Sequence, residues 1–125
     1  MDGNEYAAAA RLRSALRRFL RESETLARAE GLTPRQYLLL LQIAGADDGH
    51  STVSKLVERL VLTQSTVTEL VQRAEHAGLV QRRTATHDAR VAYLSLTDEG
   101  SRRLAAVHAR LSSERARLRR LVEED

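Results

Sequence analysis

Thr63-Gln64-Ser65-Thr66-Val67-Thr68-Glu69-Leu70-Val71-Gln72-Arg73-Ala74-Glu75-His76-Ala77-Gly78 carries the clearest structural signal in the chain. Val67, Leu70, Val71 and Ala74 recur at i, i+3, i+4 and i+7, the spacing of one buried helical stripe. Gln64, Ser65, Thr68, Glu69, Gln72 and Arg73 are left on the free side. Thr63 offers the hydroxyl of an N-cap, and Gly78 stops the helix. A strand with a basic end follows, Leu79-Val80-Gln81-Arg82-Arg83, then a polar tip, Thr84-Ala85-Thr86-His87-Asp88-Ala89-Arg90. A returning strand, Val91-Ala92-Tyr93-Leu94-Ser95-Leu96, ends at Thr97-Asp98-Glu99-Gly100. A short helix with a polar face, tied to a hairpin with an arginine at its tip, has the shape that enters duplex DNA.

Upstream of this stretch, Ser51 is expected to cap a short helix from Thr52 to about Leu60, with Val53, Leu56 and Val57 inward. Val61-Leu62 makes the turn to the Thr63 helix, so the two read as a helix-turn-helix. Before them, Thr33 caps a helix from Pro34 to about Ala44, with proline where its missing N–H costs nothing. Its run of leucines, Tyr37 and Ile43 predicts the buried centre of the domain. Asp47-Asp48-Gly49-His50 reads as a loop. A two-stranded hairpin is marginal alone, so it must lean on these helices.

Two long helices flank this unit. Ala9, Leu12, Leu16, Phe19 and Leu20 give the first an apolar stripe from Glu5 to about Ala29. Leu104, Val107, Leu111, Leu118 and Val122 do the same for one last helix, Asp98 to about Glu123, capped by Thr97. The winged unit can cover these stripes only in part, so they are expected to pack on each other and on a second copy.

The composition bounds the rest. The 125 residues are read as a single protomer. Apolar residues make up 42% but aromatics only 3%, so the core is built of Leu, Val and Ala. Cysteine is absent, which excludes disulfides and thiolate metal sites. No apolar run approaches the roughly 18 residues of a membrane span. Met1-Asp2-Gly3-Asn4-Glu5 lacks the features of a signal peptide, and a cytoplasmic protein is expected. Net charge is +3, and every basic residue but Lys55 is an arginine. The terminal arginines alternate with glutamates and read as solvated helix faces; Arg73, Arg82, Arg83 and Arg90 cluster in the central unit.

At this point the chain resembles the MarR family of winged-helix transcription regulators. The resemblance is carried by Leu32-Thr33-Pro34 with Gln36, Ser65-Thr66-Val67-Thr68, Glu75 with Gly78-Leu79-Val80 and Arg82, Asp88 with Arg90, and Leu96-Thr97 with Gly100. Each motif is weak alone; together, in order, over about residues 32–104, they are specific. The resemblance implies a mainly α fold: a winged helix-turn-helix at 32–97, of three core helices and a β-hairpin wing, between dimerisation helices at 5–30 and 98–125. It implies a homodimer that regulates transcription, usually by repression, often relieved by a small-molecule effector. Most relatives continue into a further helix that completes the dimer, and many carry a basic residue where Glu69 stands.

The expected DNA-binding residues are Gln64, Ser65, Thr66, Thr68, Gln72, Arg73, Arg83, His87 and Arg90. Gln pairs with adenine, and Thr methyls touch the thymine methyl. Arg73 suits a phosphate better than a base. Arg90 suits a narrow, A·T-rich minor groove, where the potential is most negative. Asp88 is placed to brace its guanidinium through a bidentate pair. A solvated helix face and an idle surface pair explain the same residues singly; their conjunction on one unit favours DNA. Leu12, Leu16, Phe19, Leu111, Leu118 and Val122 are the expected dimer contacts.

His50, His76, His87 and His108 are dispersed, so no metal and no cofactor is expected. No phosphate loop or nucleophile constellation is present, which argues against an enzyme. Two other readings stay open: a winged-helix protein-interaction module without DNA binding, and a metal-responsive regulator.

Overall fold

The computed structural model describes residues 3–88 and 90–123. Ala89 of the polar tip, Glu124 and Asp125 of the expected last helix, and the first two residues lie outside the described residues. The chain runs α1 (Gly3–Ala29), α2 (Pro34–Ala44), a 3₁₀ turn (Asp47–Gly49), β1 (His50–Ser51), α3 (Val53–Leu60) and α4 (Gln64–His76). It continues through β2 (Val80–Thr84), β3 (Ala92–Leu96), α5 (Asp98–Arg110) and α6 (Ser112–Glu123). This is the mainly α, winged helix-turn-helix architecture expected from the sequence.

The helix starts follow their caps. Thr33 Oγ1 accepts the Gln36 N–H at 3.1 Å, and the Gln36 side chain accepts the Thr33 N–H at 3.0 Å, a reciprocal capping box. Thr63 caps α4 and Thr97 caps α5 in the same way, each through its hydroxyl. At α3 the cap is Thr52, not Ser51. Ser51 is buried in β1, and Thr52 Oγ1 accepts the Lys55 N–H at 3.3 Å. Gly78 ends α4 with φ of 76°, where a side chain would strain the backbone. The Leu79 N–H then reaches back to the Ala74 carbonyl at 2.9 Å.

The wing differs from a two-stranded hairpin. The sheet has three antiparallel strands in the order β1-β3-β2. β1 pairs His50 with Ser95 and Ser51 with Leu94, while β2 pairs Val80 with Leu96 through to Thr84 with Ala92. The loop before α3 thus closes the outer edge of the hairpin. This resolves how a marginal hairpin is held: β3 lies between two partners, and its Leu94 is fully buried.

Leu39, Leu40 and Ile43 of α2 are fully buried beside Leu56, Val67, Val71 and Val107. α2 is therefore central, as its apolar sequence requires, but Leu38 and Leu41 remain on the surface. The last helix is two helices. It breaks at Leu111, whose φ and ψ are −92° and 2°, and whose side chain is fully buried within the protomer. The expected role of Leu111 as a contact between copies is corrected: it belongs to the chain's own core. Beyond the break, α6 packs against α1 and buries no residue completely.

Candidate nucleic-acid interface

α4 is fixed from below and free above. Val67, Leu70, Val71 and Ala74 lie against the core, leaving Gln64, Ser65, Gln72 and Arg73 exposed. Thr66 and Thr68 are half-buried at the edge of this face. Thr66 is further committed to the helix start, because the Thr63 hydroxyl donates to Thr66 Oγ1 at 2.8 Å. Ser65 Oγ sits 3.4 Å from the same Thr63 oxygen. Thus Gln64 and Gln72 are the freest amide groups on the face, at its two ends.

Charge on this face is compensated. Arg73 Nη2 donates to Glu69 Oε1 at 2.6 Å, one turn back, with both groups exposed. Arg82 on β2 points to α4 and pairs with Glu75 at 3.0 Å. Its neighbour Arg83 alternates away and lines a hollow with Asp48, His50, Tyr93 and Ser95. The His50 ring meets the Tyr93 ring edge-on, with centroids 4.8 Å apart. Among the described residues no three His, Asp or Glu side chains converge in a way that holds a metal ion.

The wing tip is a closed loop. The Ala85 N–H donates to the Val91 carbonyl at 2.8 Å, and the Val91 N–H to the Asp88 carbonyl at 3.1 Å. Asp88 then grips Arg90 at three points. Oδ1 accepts the Arg90 backbone N–H at 3.0 Å and Nε–H at 3.2 Å, and Oδ2 accepts Nη2–H at 3.4 Å. The backbone N–H, then the guanidinium, hold the Asp88 carboxyl below the ordinary carboxylate range. Arg90 itself is 91% exposed. A braced guanidinium loses less rotamer freedom on binding than a free one. His87 is exposed on the same tip.

One feature of the site is not read from the sequence. A hollow of about 560 Å³ lies between the start of α2 and the face of α4, lined by Pro34, Arg35, Gln36, Thr66, Glu69 and Arg73 among others. Its only sequence signal is the pair Arg35 and Arg73, far apart along the chain. Tyr37, by contrast, is buried in the core, which raises its phenol pKa despite nearby Arg115.

Two short helices with a polar-faced second member, backed by a sheet whose tip presents an arginine, define a winged helix-turn-helix protein. The chain belongs to the MarR family: residues 30–91 match the family model of that description. The transcriptional repressor MdtR of Bacillus subtilis is 37% identical over 97 residues, which cover 77% of this chain and 61% of MdtR. The chain thus spans about three-fifths of that relative. The crystal structure of YusO from Bacillus subtilis superposes with a TM-score of 0.66 at 27% identity, covering 100% of this chain and 86% of YusO. A mutant of MepR from S. aureus, bound to an oligodeoxyribonucleotide, shares the fold with a TM-score of 0.74 at 19% identity. There the match covers 90% of this chain and 80% of MepR.

Proposed function

We propose that this chain is a sequence-specific, DNA-binding transcriptional regulator that acts in the cytoplasm as a homodimer and represses from a pseudo-palindromic operator. The observation that carries this reading is the joint presence, in one winged unit, of an exposed polar α4 face and an exposed Arg90 braced by Asp88. The MepR complex with an oligodeoxyribonucleotide and the repressor MdtR support it by likeness.

Each α4 enters a major groove, with Gln64, Ser65, Thr68 and Gln72 reading base edges and Thr66 setting the helix start. Arg90 enters the flanking minor groove, braced by Asp88. Arg83 and His87 approach phosphates, and Arg73 does so on leaving Glu69. Leu12, Leu16, Phe19, Leu118 and Val122 meet the second copy. Two half-sites then lie about 10 bp apart. An effector relieves repression by holding the two α4 helices at another distance, which requires tighter binding to the off-DNA state.

Selection of genomic fragments on the purified protein tests the reading. The expected result is a set of sites with dyad symmetry and one-turn spacing, bound with affinity that falls steeply as salt rises. The Glu69–Arg73 pair favours a second reading, since it neutralises a cation on the face that meets DNA. That reading is a protein-interaction module, and it wins if duplex DNA shows no binding at micromolar protein in low salt.

A further inference from the structure

We infer that Glu69 of α4 fixes a cytosine in each half-site, by accepting a hydrogen bond from the N4 amino group on the floor of the major groove. The inference rests on the DNA-binding reading and adds which base one residue selects.

α4 turns by about 100° per residue, and its buried stripe is set by Val67, Leu70, Val71 and Ala74. Ser65, Glu69 and Gln72 fall within about 30° of the line directly opposite that stripe. Gln64 and Arg73 lie on the two flanks, about 110° and 70° from it. A helix seated in a groove along that line brings Glu69 to the base edges, with Ser65 one turn before it and Gln72 one turn after. The Glu69 side chain is 62% exposed, so it reaches the groove without any shift of the core.

A carboxylate accepts hydrogen bonds and donates none, so most of the groove repels it. Guanine N7 and O6, adenine N7 and thymine O4 are all acceptors; the donors are cytosine N4 and adenine N6. Beside adenine N6 stands N7, whose lone pair opposes the second carboxylate oxygen. Beside cytosine N4 stands the C5–H edge, which does not. The chemistry therefore selects cytosine, and any other base leaves the acid desolvated without a donor.

The pair with Arg73 prepares the exchange. Arg73 Nη2 donates to Oε1 at 2.6 Å, and no hydrogen bond engages Oε2 among the described residues. Both groups are exposed, and an exposed pair one turn apart is worth little, so opening it costs little. Arg73 lines the hollow at the start of α2 together with exposed Arg35, which makes that flank cationic. There Arg73 turns to a phosphate, and the cytosine amino group takes its place at the carboxylate.

Anisotropy titrations of the full chain, on a duplex recovered by the genomic selection, test this. A series of duplexes carries, at one cytosine per half-site in turn, an analogue that lacks the N4 amino group. Circular dichroism verifies that each protein variant is folded. At one position the analogue is expected to weaken wild type about tenfold and Glu69→Ala less than about twofold. Glu69→Gln is expected to prefer adenine there, because glutamine pairs with adenine N6 and N7. Arg73→Ala is expected to keep the cytosine preference while its salt slope falls by about 1 per protomer. If no position separates wild type from Glu69→Ala, or if that variant binds every duplex more tightly by one common factor, the acid merely repels DNA and the inference is wrong. Loss of the preference in Arg73→Ala shows that Glu69 acts only through its partner and overturns it equally. A wild type that binds no duplex at micromolar protein in low salt overturns the DNA-binding reading as well.

Discussion

The winged unit, residues 32–97, and the pair of helices α1 and α6 use the same residue types in opposite ways. The winged unit has seven basic and six acidic side chains, while the two helices carry ten arginines against five glutamates. In the winged unit Arg73, Arg82 and Arg90 each have a carboxylate; on α1 no arginine has one among the described residues. Most of the fully buried residues lie in the winged unit, whereas α6 buries none completely. Net charge therefore does not locate the face proposed to meet DNA. That face is marked by geometry: residues locked below and fixed in aim above. On the terminal helices the arginines are mostly left to solvent, with Arg117 on α6 paired to Glu114.

The strongest way to break this comparison is at Gly100, where α5 starts against the winged unit. A Cβ there would overlap the backbone carbonyl oxygen of Leu79, which itself accepts the Thr97 N–H at 3.0 Å. Gly100→Ala is expected to destabilise the fold by about 3 kcal/mol, because backbone cannot give way as a flexible side chain can. Exposed Arg119 on α6, changed to Ala, is expected to stay within about 0.5 kcal/mol. Urea denaturation measures both; equal midpoints would erase the contrast.

Next in size is the wing. Arg90→Ala is expected to weaken specific DNA binding by about 1–3 kcal/mol while leaving the urea midpoint in place. Anisotropy titration checks it, and an unchanged affinity removes Arg90 from the interface.

A smaller effect lies at the turn between α3 and α4. Val61 is 86% exposed and holds φ of 55°, a left-handed conformation that a β-branched residue adopts only under strain. Val61→Gly is expected to raise stability by about 1 kcal/mol, since strain is relieved and no packing is lost. A lower midpoint would show that the isopropyl group has a contact of its own.

The mildest concerns pH. Arg102 and Arg103 donate to Glu99 and hold its carboxyl at about 2, below the ordinary 4.5. A depressed pKa contributes stability that is fully present above about pH 4.5 and lost as pH falls through about 2. The gap in urea midpoint between wild type and Glu99→Gln should therefore close across that window. A gap that is constant from pH 6 to about pH 2 would assign the effect to something other than ionisation.

The sequence is most legible where local chemistry is strong. Thr33, Thr63 and Thr97 each combine a capping hydroxyl with a following apolar period, and all three cap as read. β1 is invisible in sequence because two residues carry no period; only pairing with Ser95 and Leu94 makes His50-Ser51 a strand. The break at Leu111 is equally hidden, since no Gly or Pro marks it and the apolar stripe continues through it. Val61 has the wrong residue type for its backbone, so no propensity signals it. At the interface, residue types were readable, but the Glu69–Arg73 and Arg82–Glu75 pairs are set by side-chain reach.

The break at Leu111 also divides the packing of the last two helices. α5 packs on α1, α2 and β3, whereas α6 packs mainly on α1. One buried joint separates them, bridged by Arg115, whose Nη1 donates to the His108 carbonyl at 2.5 Å. α6 is about 18 Å long, so a turn of about 10° at that joint would displace its far end by about 3 Å. A small torque at the junction would thereby become travel comparable to the width of a side chain.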